Sequence, residues 1–314
     1  MNKPRILFMG TPAFALPALE MLHNSQYQII AVVTQPDRPA GRGQKEAAPP
    51  VKLLAQKFGL PVLQPLKVKD PSFLATFNQL NPDMVVVAAF GQILPKAIID
   101  FPPQKCLNIH PSLLPKYRGA APLNWSIIHG ETKTGVTIML MDEGMDSGDI
   151  LTQEETPLGA AETCGALHDR LAKLGATLLL RTIDQVVSGA ARRQPQDTAG
   201  VTFAPRLMKE TGKINWQDNV FNIVNLIRGL SPSPAAYTSL EGLSLKIFTA
   251  EGRVTETIQQ PGTMGALSDA GLPVAASDGY VMLKYVQLAG KKRMLISDFL
   301  RGYRLTEGSV LGSI

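Results

Sequence analysis

Cysteine and long apolar runs are scarce in this chain of 314 residues. Its two cysteines, Cys106 and Cys164, lie far apart and outside any CxxC pattern, which argues against a disulfide scaffold and against a zinc site. No stretch approaches the length of a membrane span, and the apolar run after Met1 is too short for a secretion signal. We therefore expect a cytoplasmic protein that has no membrane partner and no bound metal.

A strong excess of one charge is also lacking, because 31 basic residues stand against 26 acidic ones, for a net charge of +5. This mild basicity is compatible with a polyanionic partner and is weak evidence for one. The chain does have length, and 314 residues exceed what one hydrophobic core usually organises. Two domains are therefore expected.

The first half of the chain alternates continuous apolar runs with amphipathic segments. Continuous Val, Ile, Leu and Met runs indicate strands that helices cover on both faces, and such strands are typical of a parallel sheet. This alternation predicts a doubly wound α/β domain over residues 1–189. The predicted strands are "RILFMG", "YQIIAVVTQ", "PDMVVVAAFG", "CLNIH" and "TGVTIMLMD", and the predicted helices are "PALEMLHN", "PPVKLLAQKFG" and "TCGALHDRLAKLGATLLLRTIDQVVSG".

The composition changes after Gly189. Residues 190–208 lack apolar periodicity and are rich in Pro, Gln, Arg and Thr, so we expect a linker there. Residues 209–314 contain one helix-like stretch, "DNVFNIVNLIRGL", followed by short strand-like runs between Gly and Asp turns. This spacing predicts a small β-barrel or sandwich. The runs are "AYTSL", "LSLKIFTAE", "GTMGAL" and "PVAASDGYVMLKYVQLAG".

Two polar residues stand near the end of the predicted strand "CLNIH". Asn108 and His110 occupy alternate positions, so their side chains point to the same face. Pro111 lacks an N–H and ends the strand, which leaves both side chains at its carboxyl end, where ligands bind in open α/β sheets. Taken alone, this pair is equally consistent with a strand terminus that faces water.

An acidic loop, "MDEGMDSGDI", follows the next predicted strand and carries Asp142, Asp146 and Asp149. Its spacing does not match the alternating oxygens and closing Glu of an EF-hand. It is typical of a solvated turn whose Asp side chains cap backbone N–H groups. If this strand and the strand of Asn108 are neighbours, their carboxyl ends bring Asn108, His110 and Asp146 into one cleft.

Acyl transfer to an external nucleophile is the chemistry that this trio fits. Cys106 shares the strand face, but four positions separate it from His110 by about 13 Å, beyond hydrogen-bond reach. An Asn amide and a His imidazolium donate hydrogen bonds to a developing oxyanion. A neighbouring Asp keeps the His protonated and helps to accept the proton that leaves the attacking group.

The blocks "NIHPSLLPKYRGAAPLNW" and "GVTIMLMDEGMDSGDI" resemble the folate-dependent formyltransferases. The resemblance implies a Rossmann-like doubly wound formyltransferase domain, a smaller OB-like β-barrel domain after it, and 10-formyltetrahydrofolate as the formyl donor. It implies that Asn108 and His110 polarise the formyl oxygen, and that Asp146 holds the His and assists deprotonation of the attacking amine. The implied folate contacts are Ser112, Leu113, Leu114 and Pro115 in "SLLP", Phe90, Gly91, Ile93 and Leu94 in "VVAAFGQILP", and Met139 and Asp142 at the acidic turn.

Two more blocks, "FMGTPAFALPALE" and "TQPDRPAGRGQK", resemble the branch of this family whose acceptor is the initiator methionyl-tRNA of translation initiation. The resemblance implies a monomer whose Arg42 wedges into the acceptor stem. From the residues alone, "GRG" between prolines is an exposed basic finger that suits phosphate and base contacts and equally a solvated loop. "KETGKINW" and "KKRML" resemble the tRNA-binding domain of that branch. The implied tRNA contacts are Arg38, Arg42, Lys45, Lys291, Lys292 and Arg293.

Two other functions are compatible with parts of this pattern. A family member that formylates a small amine, such as an amino sugar or glycinamide ribonucleotide, would share the trio without needing Arg42. An RNA-binding protein on a retired enzyme scaffold would have no physical reason to keep three polar groups in one cleft. The sequence departs from the family at "SPSPAAY", where Ser233 replaces the usual aromatic residue, which concerns local packing rather than chemistry.

Overall fold

The computed structural model describes residues 3–40, 45–303 and 308–312, and only the backbone of Ala40 and Lys45. The chain forms two compact units. The first comprises Met1–Gly119, Thr134–Thr156 and His168–Ala204, and the second comprises Ala120–Lys133, Pro157–Leu167 and Pro205–Ile314.

Sixteen strands and eight α-helices make up the described parts of the chain. The strands are β1 (Arg5–Gly10), β2 (Gln28–Val33), β3 (Arg38–Ala40), β4 (Lys45–Ala47), β5 (Val62–Leu63), β6 (Met84–Ala88), β7 (Cys106–His110), β8 (Arg118–Gly119), β9 (Lys133–Leu140), β10 (Ile150–Pro157), β11 (Phe203–Ala204), β12 (Ala236–Leu240), β13 (Leu243–Val254), β14 (Leu272–Ala276), β15 (Gly279–Leu288) and β16 (Met294–Leu295). The helices are α1 (Leu16–His23), α2 (Pro50–Lys57), α3 (Pro71–Leu80), α4 (Lys96–Ile99), α5 (Pro122–Ile128), α6 (Cys164–Ser188), α7 (Val220–Leu230) and α8 (Ile296–Gly302). Within the described ranges, none of these helices combines the length and the apolar character needed to cross a membrane.

A seven-stranded sheet organises the first unit, in the order β10-β9-β7-β6-β1-β2-β5. The five neighbouring strands β7, β6, β1, β2 and β5 are parallel to one another. Strand β9, by contrast, pairs with β7 in the antiparallel direction. The sheet is therefore mixed, and the expectation of a parallel sheet is wrong at this edge. A continuous apolar run reports burial on both faces, and it carries no information on strand direction.

Local signals in the sequence fix the helices around this sheet. Pro stands in the first turn of α1, α2 and α3, where its missing N–H costs nothing and its fixed φ suits the helix. Helix α3 ends at Asn81, whose φ of 43° is left-handed, a conformation that Asn tolerates well. The core between sheet and helices contains fully buried Phe8, Phe77 and Leu107.

The second unit contains an antiparallel sheet in which β12, β13, β15 and β14 are successive neighbours and β16 pairs with β15. Helix α7 packs on this sheet, and its Ile223 and Ile227 join the core with Ile247 and Val281. This confirms a β-rich second domain. The run "GTMGAL" forms isolated bridges, from Thr263 to Val310 and from Met264 to Val274, rather than a strand of its own.

Most of the predicted linker belongs to the first compact unit, which continues to Ala204. Gln194 forms an antiparallel bridge with Ile150, and β11 pairs in parallel with β8. Pairing with an existing strand edge needs no apolar periodicity, because the backbone supplies the hydrogen bonds. The composition of residues 190–208 therefore predicted that this segment is irregular, but it did not predict that the segment pairs with strands of the first unit.

Candidate active site

Strand β7 carries Asn108 and His110 at the centre of the first unit. Asn108 is half-buried, and it pairs in register with Val87 of β6 and Met139 of β9. His110 is buried at 4% exposure, and its Nε2 lies 3.0 Å from the Tyr117 carbonyl oxygen. A carbonyl oxygen only accepts, so Nε2 carries a proton and donates it to Tyr117.

Asp146 reaches His110 by a different route from the one that the sequence suggested. Because β9 and β7 are antiparallel, Leu140 at the end of β9 lies opposite Leu107, at the other end of β7 from His110. The carboxyl ends of the two strands therefore do not meet. The loop after Leu140 returns along the sheet and places Asp146 Oδ2 3.6 Å from His110 Nδ1.

The Asp146 carboxylate also accepts a hydrogen bond from the backbone of the β8 segment. Its Oδ2 lies 2.8 Å from the Gly119 N–H. Gly119 has a φ of 120°, and a Cβ there would lie 2.8 Å from the Ala204 carbonyl oxygen, so only glycine fits this approach. Asp146 itself has a φ of 49°, a left-handed conformation that is uncommon outside glycine and is frequent at functional sites.

The charge state of His110 follows from its burial. Burial lowers the pKa of His110 below its ordinary value of 6.5, while the Asp146 charge and the Tyr117 carbonyl partly oppose the shift. At neutral pH the ring is therefore neutral, with its proton on Nε2 and a free lone pair on Nδ1. This differs from the expectation that Asp146 keeps the imidazole protonated, because burial could not be read from the motif.

The acidic loop is held by its own side chains, as a solvated turn would be. The Asp142 carboxylate accepts a hydrogen bond from Ser147 Oγ at 2.9 Å and another from the Gly144 N–H at 3.1 Å. At Gly148, a Cβ would lie 2.0 Å from the Leu140 carbonyl oxygen, so a side chain there would force the loop off the end of β9. These contacts fix the chain on both sides of Asp146.

Two residues that the sequence interpretation missed support the same loop. Gln196 Nε2 donates to the carbonyl oxygens of Asp146 and Gly148, both at 2.8 Å. Arg118 donates to Gln196 Oε1 from Nε at 3.1 Å and from a terminal nitrogen at 2.8 Å. Arg118 stands inside the quoted family block, but nothing in the sequence connects it with residue 196.

Cys106 has no catalytic role in this arrangement. Its Sγ is buried 3.5 Å from Met141 Sδ, and burial strongly raises the pKa of the Cys106 thiol. The thiol therefore stays protonated, and a protonated thiol is a poor nucleophile. Among the described residues, no group of three His, Cys, Asp or Glu side chains is arranged to hold a metal ion.

The residues implied for folate binding fall into buried and accessible groups. Five side chains are buried: Phe90, Leu94, Ser112, Leu114 and Met139. Leu113 and Pro115 are half-buried, whereas Gly91, Ile93 and Asp142 are exposed. Each of the five buried residues is at most 4% exposed as a whole, and the Ser112 and Leu114 carbonyls already accept hydrogen bonds from Thr137 and Gln153. Ile93, at 91% exposure, is an open apolar side chain two residues after Gly91, whose φ is 86°.

A hydrogen-bond network fixes the loop that follows His110. Thr137 Oγ1 donates to the Ser112 carbonyl at 2.7 Å and accepts from the Leu114 N–H at 3.1 Å. Gln153 Nε2 donates to the Leu114 carbonyl at 2.7 Å. The "SLLP" segment therefore has a defined backbone beside the trio.

The residues implied for tRNA contact belong to both compact units. Strands β3 and β4 form a hairpin stem, in which Arg38 donates to Gln35 Oε1 at 2.9 Å. Arg42 and the Lys45 side chain fall outside the described residues. In the second unit, Lys291 and Lys292 are exposed. The Arg293 guanidinium lies 4.4 Å from the Phe248 ring centroid in a cation–π contact. One face of the guanidinium is therefore already covered by the Phe248 ring.

Comparison with known proteins identifies the family of this chain. Residues 4–183 match the formyl transferase family, and residues 206–304 match the formyl transferase C-terminal domain. A methionyl-tRNA formyltransferase of Syntrophus aciditrophicus is 58% identical over 312 residues, covering 99% of this chain and 100% of that protein. The methionyl-tRNA formyltransferase of Geotalea uraniireducens is 49% identical and covers 98% of each chain.

Solved structures share the fold at lower identity. A sugar 3N-formyl transferase, WlaRD, solved in the presence of dTDP and 5-N-formyl-THF, has a TM-score of 0.67 at 19% identity, covering 93% of this chain and 100% of that one. HypX from Aquifex aeolicus in complex with tetrahydrofolic acid has a TM-score of 0.63 at 18% identity, covering 95% of this chain and 47% of that one.

The two-part fold and the matched domains define a formyl-transferring enzyme, and the chain belongs to the formyl transferase family. Its full-length relatives include methionyl-tRNA formyltransferases at 46% to 58% identity. The resemblance read from the sequence motifs is therefore confirmed, and so is the predicted order of a Rossmann-like domain and a smaller β-rich domain.

Proposed function

We propose that this protein transfers the formyl group of 10-formyltetrahydrofolate to the α-amine of methionyl-initiator tRNA. The products are N-formylmethionyl-tRNA for translation initiation and tetrahydrofolate. The observation that carries the proposal is the pairing of buried His110 with half-buried Asp146 beside Asn108, in a chain whose full-length relatives carry this activity in their names. A role in translation initiation also implies that the protein works in the cytoplasm. We propose that location, and we propose that the protein is a monomer.

The trio divides the work of acyl transfer between two kinds of group. The half-buried Asn108 amide donates a hydrogen bond to the formyl oxygen as negative charge develops there, a contribution of about 10²–10³ in rate for one such donor. The neutral ring of His110 accepts the proton that the amine loses as its new N–C bond forms, in place of the hydrogen bond to the formyl oxygen that the resemblance implies for it. Asp146, 3.6 Å away, then stabilises the imidazolium.

The same proton closes the reaction. When the bond between the formyl carbon and the donor nitrogen breaks, that nitrogen needs a proton, and the imidazolium of His110 returns the one it took. Nε2 stays bonded to the Tyr117 carbonyl throughout, so the ring presents Nδ1 to both partners without rotating. No net proton is gained or lost by the protein.

We propose that the formyl donor, which supplies the activated one-carbon group, binds against an accessible edge of the first unit. The exposed Ile93 side chain and the open backbone at Gly91 form an accessible apolar edge on the first unit. We propose that the ten residues implied by the sequence hold the folate. The assignment of Asn108, His110 and Asp146 as the catalytic residues belongs to the same proposal.

Recognition of the tRNA is proposed for two regions. One is the β3–β4 hairpin with Arg38, Arg42 and Lys45, and the other is the exposed basic group with Lys291, Lys292 and Arg293. Exposed Lys and Arg side chains suit phosphate contacts, which position a nucleic acid without reading its sequence. We keep the division into residues 1–189, a linker at 190–208 and a tRNA-binding domain at 209–314 as the functional domain assignment.

The decisive experiment supplies purified protein with 10-formyltetrahydrofolate and one acceptor at a time. The acceptors are methionyl-initiator tRNA, methionyl-elongator tRNA, free methionine and a dTDP-linked amino sugar. Formylation of the initiator tRNA alone supports the proposal. Formylation of the amino sugar would favour the alternative of a small-amine formyltransferase, whose fold is shared by solved sugar N-formyltransferases.

A further inference from the structure

Gln196 uses its entire hydrogen-bonding capacity on one loop and one arginine. A Gln side chain has two N–H donors and one carbonyl with two lone pairs. Both donors bind backbone carbonyls, of Asp146 and of Gly148, at 2.8 Å. Both lone pairs accept from Arg118, at 3.1 Å and 2.8 Å. A surface Gln rarely satisfies all four positions within the protein, so its orientation is fully determined.

The carbonyls that Gln196 binds belong to a part of the loop that needs support. Asp146 has a left-handed backbone, with a φ of 49°, and such a residue persists only where its surroundings hold it. The Asp146 side chain, by contrast, is held by the Gly119 N–H at 2.8 Å. Gln196 therefore fixes the backbone of Asp146, while Gly119, the residue after Arg118, fixes the Asp146 carboxylate.

Arg118 joins the two supports into one unit. It is the residue before Gly119, and its own side chain orients Gln196 by a two-pronged contact. Its backbone N–H donates to the Thr202 carbonyl at 2.9 Å, which ties the 190–204 segment to β8 a second time. A displacement of that segment would therefore move Asp146 relative to His110.

We propose that Gln196, oriented by Arg118, is a positioning residue that holds Asp146 beside His110 for formyl transfer. The segment from 190 to 204 is then part of the catalytic machinery as well as a connection. The expected effect on the rate of formylation rests on the proposed function. The expected effect on the titration of His110 rests only on the position of Asp146 beside the ring.

The test compares Gln196→Ala and Gln196→Glu with Gln194→Ala. The glutamate keeps an acceptor for Arg118 but has no donor for the two carbonyls, so it isolates the contacts to the loop. Gln194 is the matched control because its side chain is exposed and only its backbone bonds are present in the described structure. Arg118→Lys, which offers one donor group in place of a fork, gives a milder second perturbation should Gln196→Ala not fold.

Two readouts distinguish positioning from general stability. In steady-state formylation, kcat falls about tenfold to 100-fold in both Gln196 variants, as a displacement of about 1 Å would cause, while KM for both substrates stays within about twofold. In an NMR titration of the His110 ring in Gln196→Ala, which adds no charge, the pKa of the ring falls further below 6.5, because the Asp146 charge that raises it has moved away. Gln194→Ala changes neither quantity, and Arg118→Lys changes both by less.

A folded Gln196→Ala protein with wild-type kcat and an unchanged His110 titration would overturn the inference. So would a fall in melting temperature with no change in the His110 titration, since that result describes a purely structural residue. If wild-type protein formylates no aminoacyl-tRNA, the proposed function fails, but the NMR titration still decides whether Gln196 positions Asp146.

Discussion

The Asp146 carboxylate lies 3.6 Å from His110 Nδ1, on the side of the ring opposite to the Tyr117 carbonyl that binds Nε2. The imidazole is thus held between an acceptor that fixes its tautomer and an anion that stabilises its protonated form. Such a ring is neutral at rest, and the Asp146 charge stabilises the imidazolium that forms when a proton binds at Nδ1. The predictions below follow from this relationship and from the contacts that maintain it.

Asp146→Asn should lower kcat and shift the pH profile in a defined direction. Activity requires neutral His110, so kcat/KM falls as the pH drops through the pKa of His110, which lies below 6.5. Loss of the Asp146 charge lowers that pKa further, because this charge opposes the effect of burial. The acid limb of the profile should therefore move to lower pH, measured over pH 5–8 with saturating folate. A limb that moves to higher pH would contradict the charge assignment.

Asn108→Ala should reduce kcat by about 10²–10³, because one preorganised donor to the formyl oxygen is lost. The affinity for methionyl-tRNA should stay close to that of the wild-type protein, since the lost bond strengthens mainly in the transition state. Asn78→Ala is a suitable control, because Asn78 is an exposed residue of α3. Equal activity of the two variants would remove Asn108 from the catalytic residues.

Gly148→Ala should impair both activity and stability, although no functional side chain is changed. The new Cβ would lie 2.0 Å from the Leu140 carbonyl oxygen, so the loop that carries Asp146 must shift. Gly302→Ala is its control, since a Cβ at Gly302 has no heavy atom within 4 Å. We expect a lower melting temperature and a kcat reduced about tenfold or more for Gly148→Ala alone. Wild-type kcat in this variant would show that the loop position is not critical.

Arg42→Ala should raise KM for methionyl-tRNA and leave KM for 10-formyltetrahydrofolate unchanged, because the predicted finger contacts only the tRNA. A phosphate or base contact of this kind also contributes to salt dependence, so the variant should lose affinity less steeply as ionic strength rises. Arg193→Ala serves as the control, because Arg193 is an exposed arginine outside the regions proposed to contact tRNA. An unchanged dependence on tRNA concentration would exclude the finger from recognition.

The sequence predicted the parts of this site that rest on local pattern. Strand alternation placed Asn108 and His110 on one face, and the Gly-rich acidic loop supplied Asp146. Strand direction was not predictable, because burial on both faces gives β9 the same apolar pattern in either orientation. The route by which Asp146 reaches His110 was therefore wrong, even though the pairing of these residues is present.

The remaining misses share a physical cause. Gln196 stands 78 residues from Arg118, and only folding brings the two into contact. The neutral state of His110 depends on how much protein surrounds the ring, which a motif does not report. Both properties are long-range consequences of packing, whereas strands, turns and caps follow from neighbouring residues.

The most direct test of the account is the formylation of methionyl-initiator tRNA by wild-type and His110→Ala protein, with tRNA affinity measured on the same samples. The account predicts formylation by the wild-type protein and a loss of about 10²–10⁴ in kcat for the variant, with nearly unchanged tRNA affinity. Losses of equal size in kcat and in tRNA affinity would contradict it, because they would place His110 in binding or folding rather than in proton transfer.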